Sequence, residues 1–360
     1  MALENRADSR SFRRRITWAT AAVLAVTLCA PASAKTLRVS YYIGESHPLV
    51  SDGIGPFMEE IKKAGIDLDF RVFPAGQLGK PGDSIKNLQN GLADIGLIVM
   101  TYHREEMPLS QVVNLPWEAS AWANTNAFIQ ATSKPGAIAD EWKQQGMVPL
   151  IVAANPPYEI HTANKPLPSL ASASGIKLRS PGGSYDEVLQ AVGASPVAIP
   201  TPEAYESISR GTVDGTVYAF SNWGSLRLGE ILKHTTTNVQ LPSPGGLTYA
   251  ISRKTFDGLN ADQQKKLLEA GHAASIRAQR ALLSENEKAL EAYKKDGLNT
   301  YDWPKEDLAV LAEKYAGIRD NWVKNVDASG RPGTATVEAF QTLIDGAKEK
   351  PEDLPQPQFN

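Results

Sequence analysis

Apolar residues follow two different spacings along the first hundred residues, and each spacing predicts one kind of element. Residues 37–42 and 68–73 alternate between apolar and other side chains, which is typical of strands. Residues 54–64 carry apolar side chains at helical spacing, and 94–100 form an apolar run that predicts a third strand. Strands that alternate with helices predict an α/β fold with mostly parallel sheets.

The same alternation returns in the second part of the chain. Short apolar runs predict strands near 148–154, 158–162, 175–179, 195–199 and 215–219, and helical stretches at 185–192 and 202–210 lie between them. We therefore predict two lobes: lobe I comprises 35–156 with about 244–270, and lobe II comprises 157–243. Two lobes joined by extended crossings place a ligand in the cleft between them.

The last hundred residues are predicted to be helical. Residues 260–296 are rich in Ala, Leu, Glu, Lys and Gln and contain no proline, so they predict one long helix with Gly271 as its weak point. Helices of about a dozen residues are usual, and we expect this longer one to brace both lobes. Two more helices are expected within 297–348, and the proline-containing tail 349–360 is expected to be loose.

The first 34 residues have the organisation of a secretory signal peptide. A basic cluster at 13–15 precedes an apolar run at 16–30 and the small-residue segment 31–34. The run has about 15 residues, whereas a membrane span needs about 20. We predict cleavage after Ala34 and a periplasmic protein. An uncleaved anchor is the alternative, and the sequence leaves Sec and twin-arginine export both open.

Composition narrows the function. The net charge is −3 without a basic cluster outside the leader, which speaks against a nucleic-acid partner. The only cysteine, Cys29, lies in the leader, so the mature protein has no disulfide. The five histidines form no zinc-binding pair, and no nucleophile elbow or phosphate-binding loop occurs. We expect no metal, no cofactor and no enzymatic activity.

Arg179 ends a predicted strand and is the first candidate for ligand binding. A proline-rich helix start at 200–205 and an Asp-Gly turn at 211–215 follow it. A planar guanidinium matches a carboxylate in a two-pronged geometry that lysine does not reproduce. The segment therefore predicts that the protein holds a small organic anion. The alternative is a structural salt bridge from Arg179 to Asp214 or Glu203.

Five short segments resemble motifs of one family. They are Phe73–Gly79, Asn90–Ile95, Asn114–Trp117, Gly175–Arg179 and Gly211–Gly215. In order and spacing, from about 36 to 345, they are similar to motifs of the solute-binding proteins of tripartite ATP-independent periplasmic (TRAP) transporters, the DctP family. The resemblance implies a two-lobed, periplasmic-binding-protein-like α/β fold.

The family resemblance also implies a function. Its members close over a ligand and deliver it to a permease with a small and a large membrane subunit, without chemistry on the ligand. The residue that pairs with the ligand carboxylate corresponds to Arg179, and a monomer is expected. A ligand-sensing module that acts with a membrane sensor kinase is the alternative, and an exported enzyme is a more distant one.

The sequence departs from the family pattern at two places. Many relatives that bind sialic or dicarboxylic acids have a second arginine where our alignment places Glu159; a shift of one or two residues puts Tyr158 or His161 there instead. The Glu-Asn-Pro that often follows the Asp-Gly turn is replaced by a run with Tyr218 and Phe220. We therefore expect a monocarboxylate ligand that is cyclic, aromatic or zwitterionic.

Strand ends and cleft loops supply the other candidates for ligand contact, because ligands of open α/β sheets sit at the carboxyl ends of strands. Tyr218 and Trp117 have core packing as their alternative role, and Glu159 has a surface role. The full set of candidates is Arg179, Tyr218, Tyr42, His47, Trp117, Tyr102, Glu159, Asn222 and Trp223.

Overall fold

The computed structural model describes residues 34–242, 245–347 and 354–357. The predicted signal peptide therefore lies, except for Ala34, outside the described residues. Within them, no helix has both the length and the apolar character that crossing a bilayer requires.

Eleven strands in the described residues form two sheets. They are β1 Lys35–Ser40, β2 Leu68–Phe73, β3 Ile95–Val99, β4 Met147–Ala153, β5 Glu159–Thr162, β6 Lys177–Ser180, β7 Ser195–Ala198, β8 Gly215–Tyr218, β9 His234–Thr236, β10 Leu247–Ser252 and β11 Asn299–Tyr301. The first sheet has the order β2-β1-β3-β10-β4, and the second has the order β11-β9-β5-β8-β6-β7. We call the parts built on these sheets lobe I and lobe II.

Helices cover both sheets. The α-helices are α1 Gly55–Lys63, α2 Ser84–Gln89, α3 Ala121–Ser133, α4 Ala137–Gln144, α5 Ser184–Ala191, α6 Ala204–Ser209, α7 Trp223–Leu226, α8 Arg253–Asp257, α9 Ala261–Lys295, α10 Lys305–Ala328 and α11 Gly333–Gly346. A π-helical segment, Leu49–Ile54, leads directly into α1. Sequence spacing left α3 and α4 unassigned. On α3, buried polar side chains blur the amphipathic pattern.

Both sheets are mixed, whereas a mostly parallel arrangement was expected. In lobe I, β1 runs parallel to β2 and β3, but β10 is antiparallel to both of its neighbours. In lobe II, β5 is antiparallel to β8 and β9. The odd strands are those that cross between the lobes: the chain leaves lobe I through β4 into β5 and returns through β10. Their direction is set by the crossing and not by a βαβ unit.

Helix α9 contacts both lobes, as predicted. Asn260 caps it: its side chain accepts the Gln263 backbone amide, and the Gln263 side chain accepts the Asn260 amide. Near Gly271 the helix lies so close to β4 that a β-carbon there would overlap the carbonyl oxygen of Leu150. Farther along, Tyr293 packs on Trp223 of lobe II, with ring centroids 4.9 Å apart. The helix thus fixes the spacing of the lobes along one side.

The described part of the tail differs from the loose segment that was expected. Leu354 is only 4% exposed and belongs to the apolar cluster that contains Trp142 and Phe340 of lobe I. Leu354, which lies between a polar residue and a proline, packs into this cluster of lobe I. Burial of one leucine stabilises by about 2 kcal/mol, which explains why this short segment packs.

Candidate functional site

A small cavity lies between the two lobes and receives side chains from both. Its volume is about 40 Å³. Lobe I contributes residues of β3 and β10 and of the segments after β1, β3 and β4. Lobe II contributes Tyr158 just before β5, residues of β6 and β8, and residues that follow β6, β7 and β8. The lining comprises Tyr42, Ile43, His47, Leu49, Leu97, Val99, Thr101, Tyr102, Asn155, Tyr158, Arg179, Pro181, Thr201, Tyr218, Asn222 and Leu247.

Arg179 is the only cationic residue in this lining, and its side chain is fully buried. The guanidinium lies over the ring of Tyr218, 4.7 Å from the ring centroid. Its Nε donates to the carbonyl oxygen of Ile199 at 2.7 Å, and its Nη2 faces Tyr102 Oη at 3.3 Å and Thr201 Oγ1 at 3.2 Å. Its Nη1 has no hydrogen-bond partner among the described residues. Two N–H donors therefore remain for a ligand.

No described carboxylate neutralises Arg179. Asp214, the first alternative partner, forms an ion pair with Lys165 at 2.9 Å and accepts the backbone amide of Lys177 at 2.9 Å. Glu203, the second, lies on an exposed turn and makes no ion pair within the described residues. The alternative in which Arg179 forms a structural salt bridge with Asp214 or Glu203 is thus wrong. An arginine cannot shed its proton in a protein, so the cavity holds a positive charge without a countercharge.

The hydroxyl groups around Arg179 carry more protons than the structure gives them acceptors. Thr201 Oγ1 lies 3.0 Å from Tyr102 Oη and 3.0 Å from Tyr218 Oη. Three hydroxyl protons share these two contacts, so one of them points elsewhere. Tyr158 Oη accepts from Asn155 Nδ2 at 3.2 Å, and its own proton has no acceptor in the described chain. The site is rich in donors and suits an anion.

A chain of hydrogen bonds connects the lobes beside this cluster. The backbone amide of Leu49 donates to His47 Nδ1 at 3.1 Å, so the ring proton lies on Nε2, which donates to Asn222 Oδ1 at 3.1 Å. Asn222 Nδ2 in turn donates to Asn155 Oδ1 at 3.3 Å. Burial lowers the pKa of His47 to about 4, although the bond to Asn222 opposes that shift. His47 is therefore neutral at pH 7 and adds no second cation.

Aromatic and aliphatic side chains form the rest of the lining. The rings of Tyr42 and Tyr102 meet edge to face, with centroids 5.9 Å apart. Leu97 and Val99 on β3 and Leu247 on β10 add an aliphatic wall. Burial raises the pKa of Tyr42 well above its ordinary value, so its ring is a neutral surface. Such walls favour an apolar ligand body.

Six of the nine predicted residues line the cavity, namely Arg179, Tyr218, Tyr42, His47, Tyr102 and Asn222. Glu159 does not, and the expectation that it faces the cleft is wrong in this structure. Its carboxylate accepts the hydroxyl of Thr236 at 2.5 Å and the backbone amides of Val239 and Gln240 at 3.2 and 3.1 Å. Its neighbour Tyr158, one of the two alternatives for this position, lines the cavity instead, as strand alternation requires.

The two predicted tryptophans also lie elsewhere. Trp223 is fully buried in lobe II, where its ring meets His161 at 4.8 Å and Phe220 at 5.0 Å. Trp117 packs on Phe340 and donates from Nε1 to the carbonyl oxygen of Val112 at 2.7 Å. It borders a separate outer groove of about 560 Å³ beside α10 and α11. Both side chains serve packing, the alternative already open for Trp117.

Sequence reasoning missed two polar residues at the centre of the site. Thr201 lies between Pro200 and Pro202, and the donor network around Arg179 converges on it. Asn155 ends the crossing from lobe I at an Asn-Pro-Pro sequence. A polar residue beside prolines at a strand end is the signal that could have identified both positions, because proline fixes the backbone there.

Two mixed α/β lobes that enclose a cationic, donor-rich cavity define a solute-binding protein. The chain belongs to one family of this class, bacterial extracellular solute-binding protein family 7 (DctP), whose model matches residues 39–325. It is thus a solute-binding protein of the TRAP-transporter type, which confirms the family and the fold predicted from the motifs. Proteins of this family bind substrates for transport.

Individual relatives match most of the chain. The C4-dicarboxylate-binding periplasmic protein DctP of Rhodobacter capsulatus is 26% identical over 316 residues, which are 86% of this chain and 93% of the relative. A periplasmic solute-binding protein of Bordetella bronchiseptica with bound (R)- and (S)-mandelate is 27% identical with a TM-score of 0.73, over 86% of this chain and 98% of that one.

A third relative has similar coverage. It is a marine-metagenome TRAP solute-binding protein described as specific for aromatic acid ligands, in complex with metahydroxyphenylacetate. It is 23% identical with a TM-score of 0.79, and the match covers 87% of this chain and 99% of that one. At this identity the likeness concerns the fold alone.

Proposed function

We propose that this protein captures a small monocarboxylate with a ring-shaped apolar body in the periplasm and delivers it to a TRAP permease. One observation carries the proposal: Arg179 is fully buried at the cavity, has no acidic partner among the described residues and keeps both Nη1 donors free. An uncompensated buried charge is costly, and a ligand carboxylate removes that cost. Binding and neutralisation are therefore the same event.

The number of cations limits the number of carboxylates. Arg179 is the one positively charged side chain in the lining, and His47 is neutral at pH 7. A second carboxylate would lie against Leu97, Val99 or the tyrosine rings, where an unpaired charge is strongly disfavoured. The cavity therefore differs from one that holds a dicarboxylate with two cations.

The walls define the rest of the ligand. Tyr42, Leu97, Val99 and Leu247 offer rings and aliphatic groups to an apolar body. The lining contains no Asp or Glu, and Glu159 lies outside it, so the cavity has no anion for a ligand ammonium group. This favours a neutral ring over a zwitterion. The mandelate bound by the Bordetella bronchiseptica relative agrees with a cavity of this kind.

Contacts between the two lobes at the cavity support binding by closure of the lobes. Tyr102 from lobe I contacts Arg179 and Thr201 from lobe II, and Ser184 of lobe II donates to the carbonyl oxygen of Asn114 in lobe I at 3.0 Å. A ligand that touches both lobes binds the closed form more tightly and shifts the population toward it. The closed form is then what the permease receives.

A thermal-shift panel tests the proposal. Benzoate, phenylacetate, mandelate and cyclohexanecarboxylate should raise the melting temperature in a concentration-dependent way, because ligands of the native state stabilise it. Succinate, malate and citrate should give smaller shifts. Calorimetry then supplies the Kd of each hit. A panel in which only di- or tricarboxylates stabilise the protein would overturn the monocarboxylate assignment.

Mass spectrometry of the protein purified under native conditions identifies a retained ligand, and its recovery unaltered after incubation separates binding from catalysis. Uptake by cells that express this chain with its permease subunits tests delivery. Ligand-dependent activity of a sensor kinase in the absence of uptake would support the sensing alternative instead.

A further inference from the structure

A second buried polar atom of the cavity has no partner, and it lies on the opposite lobe from Arg179. Thr101 follows β3 of lobe I, in the 3-10 turn Met100–Tyr102. It is 4% exposed, lines the cavity, and its Oγ1 has no hydrogen-bond partner among the described residues. Buried hydroxyl groups are normally satisfied, and an unsatisfied one is destabilising. A ligand group is the natural partner.

The carboxylate of the ligand does not need Thr101. Around Arg179 the free donors are the two protons of Nη1, one proton of the Tyr102–Thr201–Tyr218 hydroxyl group and the proton of Tyr158. A carboxylate offers about four lone-pair sites, and about four donors already face it. Thr101 is therefore left for a different polar group on the ligand.

A hydroxyl group fits Thr101 best. Thr101 Oγ1 is both a donor and an acceptor, and a ligand hydroxyl pairs with either role. Leu97, Val99 and Leu247 also line the cavity and are apolar, so a larger or charged group there would lose its hydration without replacement.

We propose that Thr101 recognises a hydroxyl group of the ligand, so that the protein prefers monohydroxylated ring carboxylates over their unsubstituted parents. This inference rests on the proposed function and narrows its ligand class. The ligand would then bridge the lobes, with its carboxylate on Arg179 of lobe II and its hydroxyl on Thr101 of lobe I.

One parent acid and its hydroxylated derivatives test the inference. Calorimetry with phenylacetate, mandelate, 3-hydroxyphenylacetate and 4-hydroxyphenylacetate should show one hydroxylated acid that binds about tenfold more tightly than phenylacetate, the gain of one buried hydrogen bond. Thr101→Val, which replaces the hydroxyl by a methyl group, should remove that gain and leave the Kd of phenylacetate within about twofold.

Matched variants keep the test interpretable. Thr101→Ser should retain the preference, and Thr101→Ala should lose it if the valine variant does not fold. Thr342→Val, at an exposed position of α11, removes a threonine hydroxyl that does not line the cavity and should change no Kd.

Four outcomes overturn the inference. Equal weakening of all four acids by Thr101→Val would mean that Thr101 contacts the carboxylate. If Thr101→Val keeps the preference for the hydroxylated acid, or if the wild type has no such preference, Thr101 does not bind a ligand hydroxyl. The proposed function would then still stand. A wild type that binds none of these acids would overturn the proposed function itself.

Discussion

Arg38 and Arg179 lie on strands of the two different sheets and are partnered in opposite ways. Arg38 on β1 donates from Nε and Nη2 to the carboxylate of Asp94 at 2.8 and 3.2 Å, and from Nη1 to the carbonyl oxygen of Gly91 at 2.6 Å. Arg179 on β6 meets only neutral oxygens, and its Nη1 meets none in the described chain.

The more deeply buried of the two arginines is the one without a carboxylate partner, although burial makes an unpaired charge more costly. The Arg38 side chain is 40% exposed and has a carboxylate partner, whereas Arg179 is fully buried and has none. An arginine that serves only the fold has its countercharge supplied by the same chain. An arginine that keeps free donors in a cavity is arranged for an anion from outside. Substitutions at the two positions should therefore separate stability from binding.

Arg179→Met should produce the largest effect on ligand affinity. It removes the charge that the ligand carboxylate neutralises, which is worth about 3–5 kcal/mol, or more than about a hundredfold in Kd. The melting temperature of the ligand-free protein should stay the same or rise, since a buried charge without a partner is lost. Calorimetry and thermal unfolding measure the two effects.

The control for Arg179→Met is Arg210→Met, an exposed arginine of the same lobe that pairs with Glu206. It should change neither quantity appreciably. Arg179→Lys should also bind poorly, because lysine lacks the two-pronged geometry. Near wild-type affinity in Arg179→Met would remove Arg179 from the binding site.

Glu159→Gln tests a buried charge whose hydrogen bonds come from neutral groups. Burial raises the pKa of Glu159 to about 7 from 4.5, although the bonds from Thr236, Gln240 and Val239 oppose the shift. The folded protein then binds a proton between pH 4.5 and 7 that the unfolded chain does not. The contribution of Glu159 to stability therefore falls as the pH rises through this window, by about 3 kcal/mol in all.

The measurement is the difference in free energy of unfolding between Glu159→Gln and wild type at pH 5 and pH 8. It should move in favour of the variant as the pH rises, and contributions from the buried histidines cancel in the difference. Glu203→Gln, at an exposed position, should show no such trend. A difference that is independent of pH would show that Glu159 is ionised throughout.

Arg38→Met should lower stability without changing affinity. Burial alone would raise the pKa of Asp94, but hydrogen bonds from Arg38 and Thr255 outweigh it, and the pKa lies below its ordinary value. Loss of the hydrogen bonds from the Arg38 guanidinium to Asp94 should cost about 2 kcal/mol at pH 7. The loss should diminish as the pH falls below 3.8, where the carboxylate becomes protonated.

Chemical denaturation measures the stability of Arg38→Met, and calorimetry measures its ligand affinity. A weakened ligand affinity with unchanged stability would reverse the assignment of the two arginines. The double variant Arg38→Met/Arg179→Met should show the sum of the single effects, because the two sites share no partner.

Tyr158→Phe should weaken ligand binding less than Arg179→Met does. It removes one hydroxyl donor beside Arg179 and should weaken binding about fivefold, by about 1 kcal/mol. Tyr185→Phe is the matched control: its hydroxyl is buried next to Tyr158 without a partner in the described residues, but it does not line the cavity. Equal effects of the two variants would mean that Tyr158 acts through packing.

Sequence patterns predicted several of the residues that line the cavity, because a strand and the polar or aromatic residue at its end lie in one short segment of the sequence. Arg179, Tyr42 and Tyr102 lie at or just after strands whose apolar runs are unambiguous. The misplacement of Glu159 came from a four-residue strand, where a shift by one residue exchanges the two faces. Tyr158 was therefore the side chain that the alignment left open and the structure brought to the cavity.

Local patterns missed contacts that depend on how distant segments meet. Nothing in the short segment around Trp223 shows that its ring would fill the core of lobe II against Tyr293 of α9. The mixed direction of both sheets likewise depends on which strands the crossings between the lobes insert. Such features depend on long-range packing that no window of the sequence contains.

The sequence by itself determined the family, the order of most elements and the arginine at which we propose that an anion binds, because motif spacing and residue chemistry are local properties of the chain. Only the tertiary structure decided that no acidic side chain of the described residues neutralises this arginine and that hydroxyl groups of Thr201 and Tyr158 lie around it. It also decided that the hydroxyl of Thr101, in the other lobe, lines the same cavity without a partner in that part of the chain. Hydrogen-bond partners and burial arise when remote segments come together. The specificity of the cavity therefore belongs to the fold.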